Sequence, residues 1–180
     1  MNVLVDTTSV RLKTDRLVLR PFTYDDLDDF YDYAKVDGVG QMAGFLPHKS
    51  KEKTLSILNM FVQEKKTFAI EFNGKVIGSL GIEEYDEEEL PEFSDKKGRE
   101  IGYVLSKEYW GRGFMPEAVN AVIKYCFETL NVDFLVCAHF TDNDQSKRVQ
   151  EKCGFKHYKL VKHETRYGIV KDTWISIITK

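Results

Sequence analysis

The chain has 180 residues, with 26 Lys and Arg against 29 Asp and Glu and a formal net charge of −3. That length suits one domain spanning residues 1–180, which buries about 70% of its unfolded surface and needs no disulfide or metal staple. The acidic balance argues against a nucleic-acid binder, which normally shows a basic face, no apolar run reaches the ~18 residues of a membrane span, and the first residues lack a signal peptide's apolar block.

The elements alternate between strand and helix. Arg16–Phe22 alternates apolar and polar residues and reads as a strand. Thr23 then serves as N-cap of a helix over 24–35, with Asp25 and Asp26 in the first turn, where carboxylates suit the helix dipole. Leu27, Phe30, Tyr31 and Ala34 fall on its apolar face, and most of Tyr24, Tyr31 and Tyr33 is expected to pack in or beside the core. Residues 36–50 are glycine-rich and read as a loop. A second helix runs from Lys51 to about Lys66, capped by Ser50.

Asn73-Gly74 between TFAIEF and VIGSLGIEEY is a strong hairpin signal. Residues 86–98 form a charged surface loop, and REIGYVLS is the next strand. A glycine turn, WGRG, opens a long amphipathic helix. Residues 134–140 form a buried strand, followed by a short helix ending at Gly154, a residue suited to the left-handed conformation at a helix C-terminus. Strands over about 155–166 and 173–179 finish the chain. This order predicts a mixed α/β sheet with a right-handed strand–helix–strand crossover from Glu100 to Phe140. Cys126, Cys137 and Cys153 are odd in number and far apart, so they read as buried thiols of a cytoplasmic protein. His48, His139, His157 and His163 supply no closely spaced ligand pair, so no metal is expected.

The chemistry concentrates in EIGYVLSKEYWGRGFMPEAV. A buried strand runs into Trp110-Gly111-Arg112-Gly113-Phe114-Met115, which opens a helix at Pro116. Glycines let the backbone approach a ligand, and free N–H groups at a helix start favour an anion such as a pyrophosphate. A Walker loop is absent, and the dinucleotide fingerprint is excluded by Pro116 and by the lack of a doubly wound N-terminal half.

The segment resembles the coenzyme A loop of the GCN5-related N-acetyltransferases (GNAT), whose motif is [Q/R]-x-x-G-x-[G/A]. W-G-R-G-F-M-P-E-A is similar to the loop of the branch that includes the ribosomal-protein N-terminal acetyltransferases. Asn143…Ser146…Val149…Glu151-Lys152-Cys153-Gly154-Phe155 and the opening T-D-R-L-V-L-R-P-F are two further matching blocks in the same order. The resemblance implies a mixed, mostly antiparallel seven-stranded sheet with a central splayed parallel strand pair and about four helices. It also implies acetyl-coenzyme A as cosubstrate and an acetyl acceptor that is a small-molecule or peptide amine, on a monomer or homodimer that binds neither nucleic acid nor membrane.

Carried over by position, the resemblance places the pantetheine arm against the free edge of Gly102–Leu105, with Tyr103, Val104 and Leu105 as contacts. The backbone of Gly111, Arg112, Gly113, Phe114 and Met115 would hold the pyrophosphate. Asn143 and Ser146, sharing a helix face, would lie beside the thioester. Met115 replaces a usual small residue, so its side chain must point away from the phosphates. Many relatives carry a general-acid tyrosine where this chain has Gln150, and Ser146, one turn earlier, takes that role here. Proton removal from an amine needs a base. Glu100 is the first candidate, with Glu83 and Glu84 in reserve. An intact coenzyme loop without a working base would instead mark a non-catalytic acyl-coenzyme A sensor. The acceptor cleft is expected between the loop 38–50, the first two helices and the loop 86–98. Its rim would carry Asp25, Asp26, Asp28, Asp29, Glu83, Glu84 and Glu87–Glu89, favouring a cationic acceptor.

Overall fold

A computed structural model describes residues 1–180. One sheet of eight strands organises the chain: β1 (Leu12–Lys13), β2 (Val18–Pro21), β3 (Thr67–Phe72), β4 (Lys75–Glu83), β5 (Gly98–Leu105), β6 (Phe134–Phe140), β7 (Lys156–Glu164) and β8 (Val170–Thr179), in spatial order β1-β2-β3-β4-β5-β6-β8-β7. Every neighbouring pair is antiparallel except β5 and β6. The strand beyond the expected seven is β1, whose two residues are too short to leave a periodic pattern.

The helices are α1 (Leu27–Ala34), α2 (Lys51–Glu64), α3 (Phe114–Glu128) and α4 (Asp144–Lys152). The expected first helix divides, with a 3-10 turn at Tyr24–Asp26 preceding α1. Asp26 explains the break. Its carboxylate accepts the Thr23 N–H at 2.8 Å and forms a buried ion pair with Arg20 at 2.8 Å, so it anchors the turn to β2. Ser50 caps α2 by accepting from the Lys53 N–H. The hairpin between β3 and β4 turns through Asn73 and Gly74, both at positive φ, which matches the right-handed strand twist.

Helices α3 and α4 cover one sheet face, and Leu19, Ile70, Leu80, Ile101, Leu135 and the apolar stripe of α3 form the largest core there. Helices α1 and α2 cover the other face over β2–β4, around Phe22, Phe30, Tyr33 and Leu58. Tyr33 is buried and Tyr24 exposed. A third cluster joins Tyr85, Leu90 and Phe93 to Phe134, Val136 and Ile175. The charged loop 86–98 is therefore pinned by apolar side chains rather than lying free on the surface. All three cysteines are buried and unpaired. No helix is long and apolar enough to cross a membrane.

Candidate active site

The parallel ladder between β5 and β6 holds three residue pairs, Gly98–Phe134, Arg99–Leu135 and Glu100–Val136, and stops there. Strand β5 continues to Leu105 and β6 to Phe140, so the two strands fork at Glu100. From Ile101 onward β5 is paired with a strand only on its β4 side. The open edge faces a cavity of about 690 Å³. Gly102 lies on that edge, and a Cβ there would meet nothing within 4 Å.

At the far end of β5 the chain turns through Gly111 (φ 72°) and Gly113 (φ 78°), left-handed conformations that glycine adopts without strain. Gly113 is the N-cap of α3. The N–H groups of Phe114 and Met115 therefore lack intrahelical partners and point out of the helix start. Both side chains belong to the core cluster, and both residues also line the cavity. Trp110 braces the turn by donating its indole N–H to the Leu105 carbonyl at 2.8 Å.

Cations surround the turn. Arg16 donates to the Arg112 carbonyl at 3.0 Å, pairs with Glu117 at 2.7 Å and stacks its guanidinium 4.2 Å from the Phe114 ring centroid. Arg148 and Lys152 line the cavity from one face of α4. These three residues were not anticipated from the sequence, although the i, i+4 spacing of Arg148 and Lys152 on a helix flanking the glycine turn is a legible signal. Of the residues expected from sequence to bind or act, Arg112 and the reserve base Glu83 do not line the cavity. The Arg112 guanidinium lies over the Tyr109 and Phe114 rings.

On the α4 side, Asn143 caps the helix by accepting from the Ser146 N–H at 3.0 Å and donates to the Met42 carbonyl. The Ser146 hydroxyl is 2.9 Å from the Tyr103 phenol, and Gln150 donates to the same hydroxyl at 3.3 Å. Gln150 Nε2 also donates to the Ala138 carbonyl, which fixes the amide orientation. Gln150 Oε1 must then accept from His139 Nδ1 at 2.9 Å, which sets the histidine tautomer. Burial lowers the His139 pKa and keeps the ring neutral at pH 7. Burial likewise raises the Tyr103 phenol well above its ordinary value. The sequence points to Tyr103 only through its strand edge, whereas its side chain reaches Ser146 across the cavity.

Glu100 stands at the fork, directly opposite Glu83 on β4. Burial first, and then the charges of Glu83, Glu89 and Asp86, raise its pKa to about 7. Its carboxylate makes no hydrogen bond or ion pair within the chain, whereas its backbone is paired on both sides. The two reserve carboxylates are occupied: Glu83 pairs with Lys66 at 2.8 Å, and Glu84 lies 3.7 Å from the buried Arg99.

The acidic rim is smaller than the sequence suggests. Asp26 binds Arg20, Asp28 binds Lys51 at 2.7 Å, and Asp29 accepts the Val76 N–H. None of these, nor Asp25, lines the cavity; Glu84, Asp86 and Glu89 do. The loop 38–50 contributes Val39, Met42 and Ala43 to the wall, whereas α1 and α2 contribute nothing. Both helices are spent covering β2–β4. No group of three or more His, Cys, Asp or Glu residues is placed to hold a metal ion.

A forked parallel pair, a glycine turn at a helix start and a carboxylate at the fork form an arrangement for an acyl thioester with a phosphorylated tail. The family model described as acetyltransferase (GNAT) domain matches residues 16–156. The chain belongs to the GNAT family. This acyltransferase is 32% identical over 177 residues to an uncharacterized N-acetyltransferase of Bacillus subtilis, YoaA, with 94% of this chain and 96% of the relative covered. Among solved structures, a GNAT-family acetyltransferase from Bacillus anthracis superposes with a TM-score of 0.82 at 22% identity, over 94% of this chain and 98% of that one. A spermidine N-acetyltransferase from Vibrio cholerae, in complex with CoA and spermine, gives 0.74 at 19% identity, over 92% and 96%. At these identities the structural likenesses establish the shared GNAT fold.

Proposed function

We propose that this GNAT protein moves the acetyl group of acetyl-coenzyme A onto a primary amine by direct attack within a ternary complex, without an acyl-enzyme. The observation that carries the reading is Glu100, a carboxylate without a side-chain partner that lines the cavity at the point where β5 and β6 part. The residues present suit coenzyme A. The open edge from Ile101 to Leu105 offers backbone groups to an amide-containing arm. The turn at Gly111 and Gly113 lets N–H groups approach a pyrophosphate, with Arg16, Arg148 and Lys152 adding positive charge nearby. The Vibrio cholerae neighbour carries CoA on the same fold.

Acetyl-coenzyme A supplies the activated acyl thioester. Glu100 receives the proton that the acceptor nitrogen must lose, directly or through water, and a pKa near 7 suits a base at neutral pH. Backbone N–H groups on the open edge of β5 would stabilise the negative charge that develops on the acyl oxygen. Ser146, its hydroxyl oriented by Gln150 and Tyr103, gives a proton to the departing thiolate. Glu84, Asp86 and Glu89 at the mouth favour a cationic acceptor. A non-catalytic sensor has no use for an unpaired carboxylate held at the fork, where ionising it is costly.

The direct test is release of free thiol from acetyl-coenzyme A in the presence of a panel of amines, with mass spectrometry of the acceptors. Amine-dependent thiol release with acetylated product supports the reading. Tight binding of acetyl-coenzyme A with no product from any amine points to the sensor.

A further inference from the structure

The helices leave part of the sheet bare. On the face that α1 and α2 cover over β2–β4, the strands β6, β8 and β7 carry no helix. Register lines up their side chains, since residues directly opposite each other point to the same face. Glu100 stands opposite Val136, Ala138 opposite Ile175, and Phe140 and Val161 both opposite Thr173. All of these residues line the cavity. The result is a mostly apolar floor that starts at Glu100 and crosses three strand spacings, roughly 14 Å, with the Thr173 hydroxyl and the His163 imidazole as its polar groups and Lys171 over the Phe140 ring at its outer end. Tyr85 and Leu90 pack on the same cluster and form a side wall.

Negative charge is confined to one end, away from the Arg148 and Lys152 side. Glu84, Asp86, Glu89 and Glu100 are the cavity's only carboxylates, and Glu89 and Asp86 lie close enough to Glu100 to act on its charge. An ammonium at that end meets carboxylates. A second ammonium several carbons away would lie over apolar side chains, near Lys171 and with no carboxylate of the cavity to meet it, which is costly. We infer that the acceptor is a primary amine with a single positive charge on an apolar body, an aralkyl or long alkyl amine. Its nitrogen sits at Glu100, and its carbon body lies along Val136, Ile175 and Val161. This rests on the transferase reading and separates such amines from the polyamines.

The test is kcat/KM for straight-chain primary amines from ethylamine to octylamine, for phenethylamine and for spermidine. Burial of methylenes on the floor predicts roughly a fourfold rise per added carbon along the series. Spermidine should fall well below a monoamine of similar length. A flat series, or a preference for spermidine, overturns the inference while leaving acetyl transfer intact. Calorimetry with N,N-dimethyloctylamine in the presence of coenzyme A supplies the complementary arm, because this tertiary amine is not a substrate for stable acetylation. Saturable binding without transfer to any primary amine supports the floor and sinks the transferase reading; absence of binding overturns the floor. In Val161→Asp the chain-length series should flatten and spermidine should gain, with acetyl-coenzyme A affinity unchanged. Val161→Ser, a milder change, should flatten it partly and serves if the aspartate variant does not fold. An unaltered series in either folded variant overturns the inference.

Discussion

Glu100 and Val136 are the last pair of the parallel ladder, and everything beyond them on β5 and β6 is separated by the cavity. A carboxylate is thus anchored by backbone bonds on both flanks just where the sheet opens. Glu100→Gln keeps size and polarity but removes the base. Turnover should drop about 10²–10⁴-fold with acetyl-coenzyme A affinity retained. In the wild type, kcat/KM should rise with pH through about 7 as Glu100 loses its proton, and the variant should lack that limb. A pH–rate profile unaltered by the substitution would move the base elsewhere.

The same raised pKa has a consequence for stability, opposite in sign to that of an ordinary salt-bridged carboxylate. Between the ordinary glutamate pKa of 4.5 and about 7 the folded state keeps a proton that the unfolded state has released. Stability contributed by neutral Glu100 is therefore present at low pH and lost as pH rises through this window. Thermal melting should place Glu100→Gln above the wild type at pH 8, with the gap closing near pH 4.5. An equal gap at both pH values would show that the carboxyl titrates normally.

Gly113 is required twice, for its left-handed backbone and for the approach of a phosphate to the N-terminus of α3. Gly113→Glu should abolish acetyl-coenzyme A binding by calorimetry, since the added side chain fills the turn and carries the wrong charge. Gly113→Ala isolates the backbone cost, about 1–2 kcal/mol, and should keep measurable binding. Unchanged affinity in the glutamate variant would remove the pyrophosphate from this turn.

Much of this was legible because the signals were local. Asn73-Gly74 forms the hairpin turn, Ser50 caps α2, Gly154 ends the α4 region at φ 88°, and the glycines of 111–113 take the conformations their loop requires. What escaped depended on contacts distant in sequence. Asp26 leaves the helix because Arg20 holds it, and the carboxylates of α1 leave the rim because Lys51 and the Val76 N–H lie beside them. Tyr103 and Ser146 are 43 positions apart and meet only after β5 and α4 pack. Arg16 reaches the glycine turn across an even longer separation. Strand β1 is fixed by pairing with β2 rather than by any pattern of its own.

The Tyr103–Ser146 pair should behave as a unit. Ser146→Ala removes the proposed donor to the thiolate, and Tyr103→Phe removes the phenol that orients it. Each should lower kcat about tenfold or more with little change in coenzyme affinity. Because the two share one hydrogen bond, the double variant should fall short of the product of the single losses. Strict additivity in this cycle would mean that the hydroxyls act independently.

Electrostatic attraction of the acceptor should come from the loop after β4 rather than from α1. Asp86→Asn keeps the oxygen that accepts from the Glu88 and Glu89 N–H groups, so the turn survives the loss of charge. Combined with Glu89→Gln, it should raise KM for a cationic amine several-fold. The pair should also weaken the decline of kcat/KM with ionic strength, since fewer charges remain for salt to screen. Asp28→Asn, whose carboxylate already faces Lys51 outside the cavity, should leave both quantities as they are. Affinity for acetyl-coenzyme A should fall less steeply with salt than acceptor kcat/KM if backbone dipoles dominate the turn at Gly111 and Gly113. A salt dependence that survives the double substitution would place the attracting charges outside the loop, and Glu100 would then be the group to titrate next.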